Sequence, residues 1–229
     1  MDIYATSFEK RLDDRLFLHL LHLTGENKRE KILRYRQWED AHRALLGDLL
    51  IRSVLIRKTG LRKDELSLSH DSNQKPLLCG KPFIHFSLSH SGSYAICAVD
   101  RMPVGVDVEK IKDIDLDVAD ICLSASERTE LARRAKSERL HFFYSLWTLK
   151  ESYTKAVGEG LSLPFESFSI QSLPEGYFRL KLEERECRDV YFKTYHAFDG
   201  YEIAACAFHN DFPVKIIYKD IKDIITAFQ

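Results

Sequence analysis

The chain has 229 residues, of which 45 % are hydrophobic and 30 % are charged, as is typical of soluble globular proteins. Its 34 basic and 35 acidic residues give a formal net charge of −1, which excludes a uniformly basic nucleic-acid-binding protein and a uniformly acidic tail. The length predicts one large domain or two small domains that pack tightly.

The first half of the chain predicts two helices followed by three strands. Cap residues at 24–27 begin the first helix, a break is expected near 37–39, and the second helix runs from about Asp40 to Gly60. The segment 71–76 is rich in Asp, Ser and Asn and ends in Pro, which predicts a turn. Strands are predicted at residues 85–89, 94–99 and 104–109.

The second half repeats this order of helices before strands. A capping-box pattern from Ser124 to Glu127 opens a helix that ends near Ala135. A longer helix is predicted at 140–157, where two glycines stop it. Strands are predicted at residues 165–171, 177–182, 190–197 and 201–208.

Two strand-like segments resemble each other across the halves. They are Gly-Ser-Tyr-Ala-Ile-Cys-Ala-Val at 92–99 and Gly-Tyr-Glu-Ile-Ala-Ala-Cys-Ala at 200–207, and each follows a long amphipathic helix. This similarity favours an internal duplication, although Ala, Ile and Cys also recur in any buried strand. A duplication predicts two α+β halves that meet near residues 100–115.

Two carboxylates, Asp107 and Glu109, stand two residues apart in a predicted strand. Alternate residues of a strand share a face, so both carboxylates project together while Val106 and Val108 enter the core. Oxygen ligands of this kind suit magnesium or manganese. The alternative is a solvated face of an edge strand.

Three residues of the long second-half helix, Trp147, Glu151 and Lys155, are spaced four apart and therefore share a face. Such a face can carry a metal ligand and a phosphate-binding lysine side by side. The alternative is that Glu151 and Lys155 form an ordinary surface ion pair.

Several polar and basic segments are candidate phosphate ligands. The segment 86–92 contains hydroxyls, an imidazole and a glycine, which suit either a phosphate cradle or a hydrogen-bonded hairpin turn. On the first helix, Lys28, Lys31 and Tyr35 are predicted to share a basic face, and Lys75 lies in the turn before Pro76. A basic helix face is either solvated or binds an anion, which is a small-molecule phosphate or a nucleic-acid backbone.

Taken together, these segments resemble the Sfp-type 4′-phosphopantetheinyl transferases over nearly the whole chain. The matching segments are residues 39–43, 86–92, 105–109 and 147–155. The resemblance implies an α+β fold with a pseudo-twofold arrangement of two similar halves, residues 1–103 and 104–229. It also implies that coenzyme A is the substrate and that the active site lies in the cleft between the halves.

The resemblance also assigns roles to residues of this chain. Asp107, Glu109 and Glu151 would hold magnesium, or manganese in its place. Lys155 would contact the phosphates, and Glu151 would also accept a proton, directly or through a water. The residues that would bind coenzyme A are Lys28, Lys31, Arg36, Lys75, Ser89 and His90.

Three positions qualify this assignment. Glu127 is a rival base, but its capping-box position already explains it. The family often has glycine before the turn lysine, where this chain has Gln74. Some relatives have a hydroxyl residue where this chain has Ala44, so one contact to the 3′-phosphate would be missing.

The reaction that the resemblance implies is a magnesium-dependent transfer of 4′-phosphopantetheine from coenzyme A to a serine of an apo carrier protein, with release of 3′,5′-ADP. The carriers would be peptidyl, acyl or aryl carriers of nonribosomal peptide or polyketide synthesis, contacted through residues 112–123. The alternative is another magnesium-dependent phosphotransferase that acts on a small nucleotide. A nucleic-acid-binding module would leave the carboxylates unexplained, and an NTPase would need a Walker loop, which is absent.

The sequence also predicts a compartment and an oligomeric state. The first residues lack the basic start and apolar stretch of a signal peptide, and no apolar run approaches the ~20 residues of a membrane helix. The five cysteines are odd in number and form no Cys-x-x-Cys pair, which disfavours disulfides and zinc. We therefore expect a cytoplasmic protein, a monomer, with no membrane or nucleic-acid partner.

Overall fold

The computed structural model describes residues 1–183 and 185–229 of the chain. The first elements are β1 (Asp2–Ser7), α1 (Asp14–Leu21), α2 (Glu26–Leu33), α3 (Trp38–Thr59), β2 (Leu68–His70), β3 (Pro76–Leu78), β4 (His85–Ser91) and β5 (Tyr94–Asp100). They are followed by β6 (Val104–Lys110), α4 (Ala119–Cys122), α5 (Ala125–Arg133), α6 (Lys136–Val157), β7 (Phe168–Ser172), β8 (Phe178–Leu182), β9 (Arg185–Cys187), β10 (Tyr191–Thr194), β11 (Tyr201–Ala207), β12 (Ile217–Tyr218) and α7 (Ile221–Ile225).

Each half contributes three strands to a sheet, and the last of these three in sequence lies between the other two. In the N-terminal half β5 lies between β1 and β4, and in the C-terminal half β11 lies between β6 and β10, antiparallel to its neighbours in both cases. In each half a 22-residue helix packs on these strands, α3 in the N-terminal half and α6 in the C-terminal half. In sequence, this helix lies between the first strand and the other two. The two segments that resemble each other in sequence therefore fall on equivalent strands. This arrangement confirms the predicted α+β class with two similar halves.

The two sheets share one apolar core. Ile3 and Ile96 of the N-terminal sheet pack in the same buried cluster as Val106, Val108 and Ile203 of the C-terminal sheet. Because these side chains are completely buried, the hydrophobic effect holds the halves together along the seam between β4–β5 and β6.

The C-terminal segment returns to the N-terminal half. Strand β12 pairs in parallel with β1, and Ile224 of α7 is buried in the core around α3. The boundary between residues 103 and 104 stays a prediction. The C-terminal segment follows this boundary in sequence but packs on the N-terminal half.

The basic helix is shorter than predicted. Helix α2 ends at Leu33, because the N–H groups of Arg34 and Tyr35 bond to carbonyls three residues back and close the last turn. The prediction that Tyr35 shares a helical face with Lys28 and Lys31 is therefore wrong.

Other boundaries follow local chemistry. The predicted C-cap at Gly60 is confirmed by its left-handed conformation, and the capping box at Ser124 is confirmed by both of its hydrogen bonds. The strand predicted at 165–171 begins only at Phe168, because a 3-10 turn at Phe165–Ser167 precedes it. Within the described ranges, no helix combines the length and the apolar character needed to cross a membrane.

Candidate active site

Serine hydroxyls join the edge strand of one half to the edge strand of the other. Strands β4 and β6 belong to different sheets, yet Ser89 Oγ donates to Asp107 Oδ1 at 2.7 Å and Ser91 Oγ donates to Glu109 Oε2 at 2.7 Å. Ser87 Oγ accepts the N–H of Val106 at 3.1 Å. Because alternate residues of a strand share a face, three serines of β4 reach the facing residues of β6.

Asp107 is the centre of the site. Its side chain is buried, with a residue exposure of 1 %, so the alternative of a solvated strand face is wrong for this residue. The Nζ atom of Lys155 lies 2.6 Å from Asp107 Oδ1 and 4.0 Å from Glu151 Oε2. The main partner of Lys155 is therefore Asp107, and the pair with Glu151 that helical spacing predicts is the weaker contact.

A glycine allows this contact between strand and helix. A Cβ atom on Gly105 would lie 1.8 Å from the carbonyl oxygen of Ser152 and 2.6 Å from the backbone nitrogen of Ala156. Strand β6 can therefore lie directly on α6. This packing brings Asp107, two residues after the glycine, within reach of Lys155.

Burial and charge together set the protonation of the acidic groups. Burial, followed by the negative charge of Asp107, raises the pKa of Glu109, and a hydrogen bond from Ser91 offsets part of this change. Burial also raises the pKa of Glu151, against the opposing charge of Lys155. Desolvation favours the neutral amine of Lys155, but the carboxylates of Asp107 and Glu151 outweigh it and raise its pKa. The lysine therefore stays charged among the carboxylates.

The same carboxylates fit a hard cation. Asp107 Oδ2 is buried and has no hydrogen-bond partner within the described residues, and it is one of two such side-chain oxygens there. The donors available are carboxylate oxygens, which suit magnesium, and a cation would relieve the repulsion between Asp107 and Glu109. In residues 1–183 and 185–229, no three His, Cys, Asp or Glu side chains are already gathered in the geometry of a metal site.

Basic residues of the N-terminal half surround the end of β4. Desolvation lowers the pKa of His90, and the positive charges of Lys155, Lys28 and Arg43 lower it further. These three cations therefore lie close enough to act on one imidazole. Arg43 also donates to the carbonyl of Gly92 at 2.7 Å, which holds the β4–β5 hairpin.

The structure separates the basic residues of the helical region into two cavities. Lys28 and Lys31 line a cavity of about 540 Å³ together with Arg52. Arg36 follows α2, is exposed, and lines a different cavity of about 370 Å³ beside His42. Arg36 is therefore not gathered with the two lysines, and its contact with coenzyme A stays a prediction.

Lys75 is held at the end of the long helix α6. Its Nζ donates to the carbonyls of Lys155 at 2.7 Å and Ala156 at 3.0 Å, and Asn73 Nδ2 donates to the carbonyl of Gly158 at 3.0 Å. These bonds satisfy carbonyls that a helix end leaves without partners. Burial lowers the pKa of Lys75. Its predicted contact with phosphate stays a prediction.

The backbone conformation of Gln74, the residue before Lys75, explains why a glycine suits this position. Gln74 has a φ of 65°, in the left-handed region that favours glycine. The glycine that the resemblance places at this position would therefore meet a backbone requirement of the turn, and glutamine adopts the same conformation with strain.

Two residues of the C-terminal half have structural roles. Glu127 Oε1 accepts the N–H of Ile170 at 2.8 Å, and Oε2 accepts the N–H of Ser124 at 2.8 Å and lies 2.8 Å from Lys150 Nζ. Lys150 is completely buried, and its Nζ also donates to the carbonyl of Phe168 at 2.6 Å. Both side chains are committed to this network, which gives Glu127 a structural reason to be present.

Sequence reasoning missed Tyr201, which supports the hairpin from the opposite half. Its hydroxyl accepts the N–H of Ser93 at 3.0 Å, and a Cβ atom on Gly92 would lie 2.2 Å from that oxygen. The Gly-Tyr pair at the start of the second similar segment was the available signal. Ser91 was also missed, because nothing in the sequence pairs it with Glu109.

A buried aspartate paired with a lysine, close to basic side chains of the other half, suits an enzyme whose substrate carries phosphate groups. The chain belongs to the 4′-phosphopantetheinyl transferase family and is an enzyme of that type. The model described as "4'-phosphopantetheinyl transferase superfamily" matches residues 103–206, and the model described as "4'-phosphopantetheinyl transferase, N-terminal" matches residues 13–102.

Individual relatives match the chain over almost its full length. The 4'-phosphopantetheinyl transferase Sfp of Bacillus subtilis (strain 168) is 38 % identical over 225 residues, which cover 98 % of this chain and 100 % of the relative. The 4'-phosphopantetheinyl transferase ffp of Bacillus subtilis is 39 % identical over 216 residues, which cover 94 % and 96 %. A crystal structure of Thermotoga maritima holo-[acyl-carrier-protein] synthase covers 46 % of this chain and 61 % of its own, with 23 % identity and a TM-score of 0.38.

Proposed function

We propose that this enzyme transfers the 4′-phosphopantetheine group of coenzyme A to a serine of an apo carrier protein, with magnesium, and releases 3′,5′-ADP. The observation that carries this proposal is the seam itself. It brings basic side chains of the N-terminal half, Lys28 and Arg43 among them, and the imidazole of His90 close to Lys155 and its partner Asp107 in the C-terminal half. A polyanionic substrate bound there would touch both halves.

Coenzyme A is bound through its phosphates in this proposal. Lys28 and Lys31 share a cavity and are not ion-paired within the described residues, so both ammonium groups are available to the 3′-phosphate. Lys155 lies beside Asp107, and Lys155 and His90 would take the diphosphate. Arg36, Lys75 and Ser89 would add contacts. The hydroxyl of Ser89 donates to Asp107, and the amine of Lys75 donates to α6 carbonyls.

Magnesium is held by Asp107, Glu109 and Glu151 in this proposal. When bound, it would neutralise the diphosphate and the charge that develops on the leaving oxygen. The unpartnered Asp107 Oδ2 supports this assignment. Manganese would serve in its place because it prefers the same ligands.

Two side chains of α6 carry the proton and charge chemistry. Glu151 accepts the proton of the carrier serine as its oxygen attacks phosphorus, directly or through a water. Burial raises the pKa of Glu151. Lys155 stays charged, and its ammonium group stabilises the phosphate oxygens as 3′,5′-ADP leaves.

The carrier is contacted through residues 112–123 in this proposal. Ile114, Leu116 and Val118 pack against the C-terminal core, whereas Ile121 is 72 % exposed. Ile121 is therefore the apolar side chain of this segment that remains available to a carrier helix. The carriers would be those of nonribosomal peptide or polyketide synthesis.

The proposed enzyme acts as a monomer in the cytoplasm. The five cysteines are free thiols, which agrees with a reducing compartment. Both halves that form the proposed cleft come from one chain, so a second copy is not required to complete it.

The decisive experiment incubates the protein with coenzyme A, magnesium and an apo carrier, and measures the mass of the carrier. We expect a gain of one phosphopantetheine group, and no gain for a carrier whose acceptor serine is replaced by alanine. Exhaustive chelation should abolish the gain, and added magnesium or manganese should restore it.

Two outcomes would contradict the proposal. Full activity after chelation would show that the reaction does not need magnesium. Breakdown of a nucleotide with no modified carrier would instead indicate the alternative phosphotransferase.

A further inference from the structure

The hydroxyl of Ser91 is held from two sides. It donates to Glu109 Oε2 at 2.7 Å and accepts the N–H of Lys110 at 3.1 Å. A hydroxyl carries one proton, and the N–H of Lys110 occupies the acceptor side of the oxygen, so that proton points at Glu109. The donor and the carboxylate belong to different halves of the molecule.

Glu109 needs such a partner more than an exposed glutamate would. It is partly buried, and the carboxylate of Asp107 stands two residues away on the same strand. A glutamate side chain also has several rotamers. A charge-assisted hydrogen bond from a strand residue stabilises the charged form in one orientation.

We infer that Ser91 is a positioning residue, which orients Glu109 for cation binding from the opposite half of the molecule. This inference rests on the proposed function, in which Glu109 is a ligand of magnesium. Ser91 acts through Glu109 and contacts neither substrate nor cation. The metal site is therefore completed by the docking of β4 against β6.

The test compares two substitutions of the same size. Ser91→Thr keeps the hydroxyl, whereas Ser91→Val removes it, and both β-branched side chains suit a strand. The affinity for Mn²⁺ is measured by electron paramagnetic resonance in the presence of saturating coenzyme A. We expect Ser91→Val to weaken Mn²⁺ binding by about 10- to 100-fold, the usual loss when the partner of a metal ligand is removed.

Ser91→Thr should bind Mn²⁺ nearly as tightly as the parent protein. Neither variant should change the affinity for coenzyme A without metal. Saturating Mn²⁺ should restore most of the turnover of Ser91→Val, because the ligand itself is intact. Ser93→Val is the matched control, since the Ser93 hydroxyl makes no hydrogen bond within the described residues, and it should leave Mn²⁺ affinity unchanged.

The possible outcomes distinguish a failure of this inference from a failure of the proposed function. Equal Mn²⁺ affinities for the Thr and Val variants would overturn the role of Ser91 and leave the proposed function standing. A parent protein that modifies carriers but binds no Mn²⁺ would overturn both the metal assignment and this inference. Melting temperatures establish folding, and if Ser91→Val is unfolded, Ser91→Ala gives the same comparison against Thr.

Discussion

At the scale of the residue, the two oxygens of Asp107 have different surroundings. Oδ1 accepts hydrogen bonds from Ser89 and Lys155, whereas Oδ2 is buried without a partner in the described part of the chain. A buried carboxylate oxygen without a hydrogen-bond partner lowers stability, so an unpaired oxygen at this position indicates a function. Gln74 also lowers stability, in this case through a strained backbone conformation.

We predict that Gln74→Gly stabilises the protein by about 0.5–1 kcal/mol, because the left-handed conformation is strained for glutamine and the greater entropy of glycine in the unfolded chain offsets only part of that relief. The free energy of unfolding from urea denaturation measures the change. Ser72→Gly is the control in the same turn, and it should be slightly destabilising because Ser72 does not have a positive φ. A loss of stability in Gln74→Gly would show that the glutamine side chain contributes a contact that outweighs the strain.

At the scale of the element, the contact between β6 and α6 determines whether the site forms. Strand β6 carries Asp107 and Glu109, and α6 carries Glu151 and Lys155. The strand and the helix meet at Gly105, where a side chain would overlap the helix backbone. The site therefore depends on backbone-to-backbone packing as much as on the charged residues.

We predict that Gly105→Ala destabilises the protein by about 3 kcal/mol or more, because the added Cβ would lie 1.8 Å from a carbonyl oxygen and neither backbone can move without strain. Urea denaturation again measures the change. Gly47→Ala in α3 is the matched control, since its Cβ would meet only side-chain carbons at ordinary contact distances, of Leu88 at 3.5 Å and Ala95 at 3.7 Å, and it should gain up to about 1 kcal/mol of helix propensity. Similar effects of the two substitutions would contradict the close packing.

At the scale of the whole molecule, a shared apolar core keeps the two halves in one arrangement. Val106 and Val108 of β6 face this core while Asp107, between them, faces α6. The packing of β4 on β6 therefore brings Ser89 and Ser91 of the N-terminal half against Asp107 and Glu109 of the C-terminal half. In the proposed function, a substrate that carries phosphate groups at two positions would contact both halves.

We predict that Lys28→Ala combined with Lys31→Ala weakens the binding of coenzyme A much more than that of dephospho-coenzyme A. Each lost charge-assisted contact to the 3′-phosphate should cost roughly 1.5–3 kcal/mol. Calorimetric titration of both ligands measures the difference. Arg34→Ala is the control, because Arg34 pairs with Glu30 and does not line the lysine cavity, and equal weakening of both ligands would show that the lysines do not contact the 3′-phosphate.

Local periodicity determined much of the site before any tertiary contact was known. Asp107 and Glu109 share a face because alternate residues of a strand do so, and Glu151 and Lys155 share a face because residues four apart on a helix do so. The capping box at Ser124 is likewise a property of neighbouring residues. These features follow from short-range geometry, which the order of residues specifies directly.

Contacts between distant residues were decided by the tertiary structure alone. Ser91 meets Glu109 18 residues away, and Lys75 meets the carbonyl of Lys155 80 residues away, because two sheets and a helix pack together. Lys150 is buried although charged, since Glu127 and two backbone carbonyls surround it. No periodic pattern encodes such pairs. They depend on which surfaces the apolar core brings together, and the packing of the whole chain determines that.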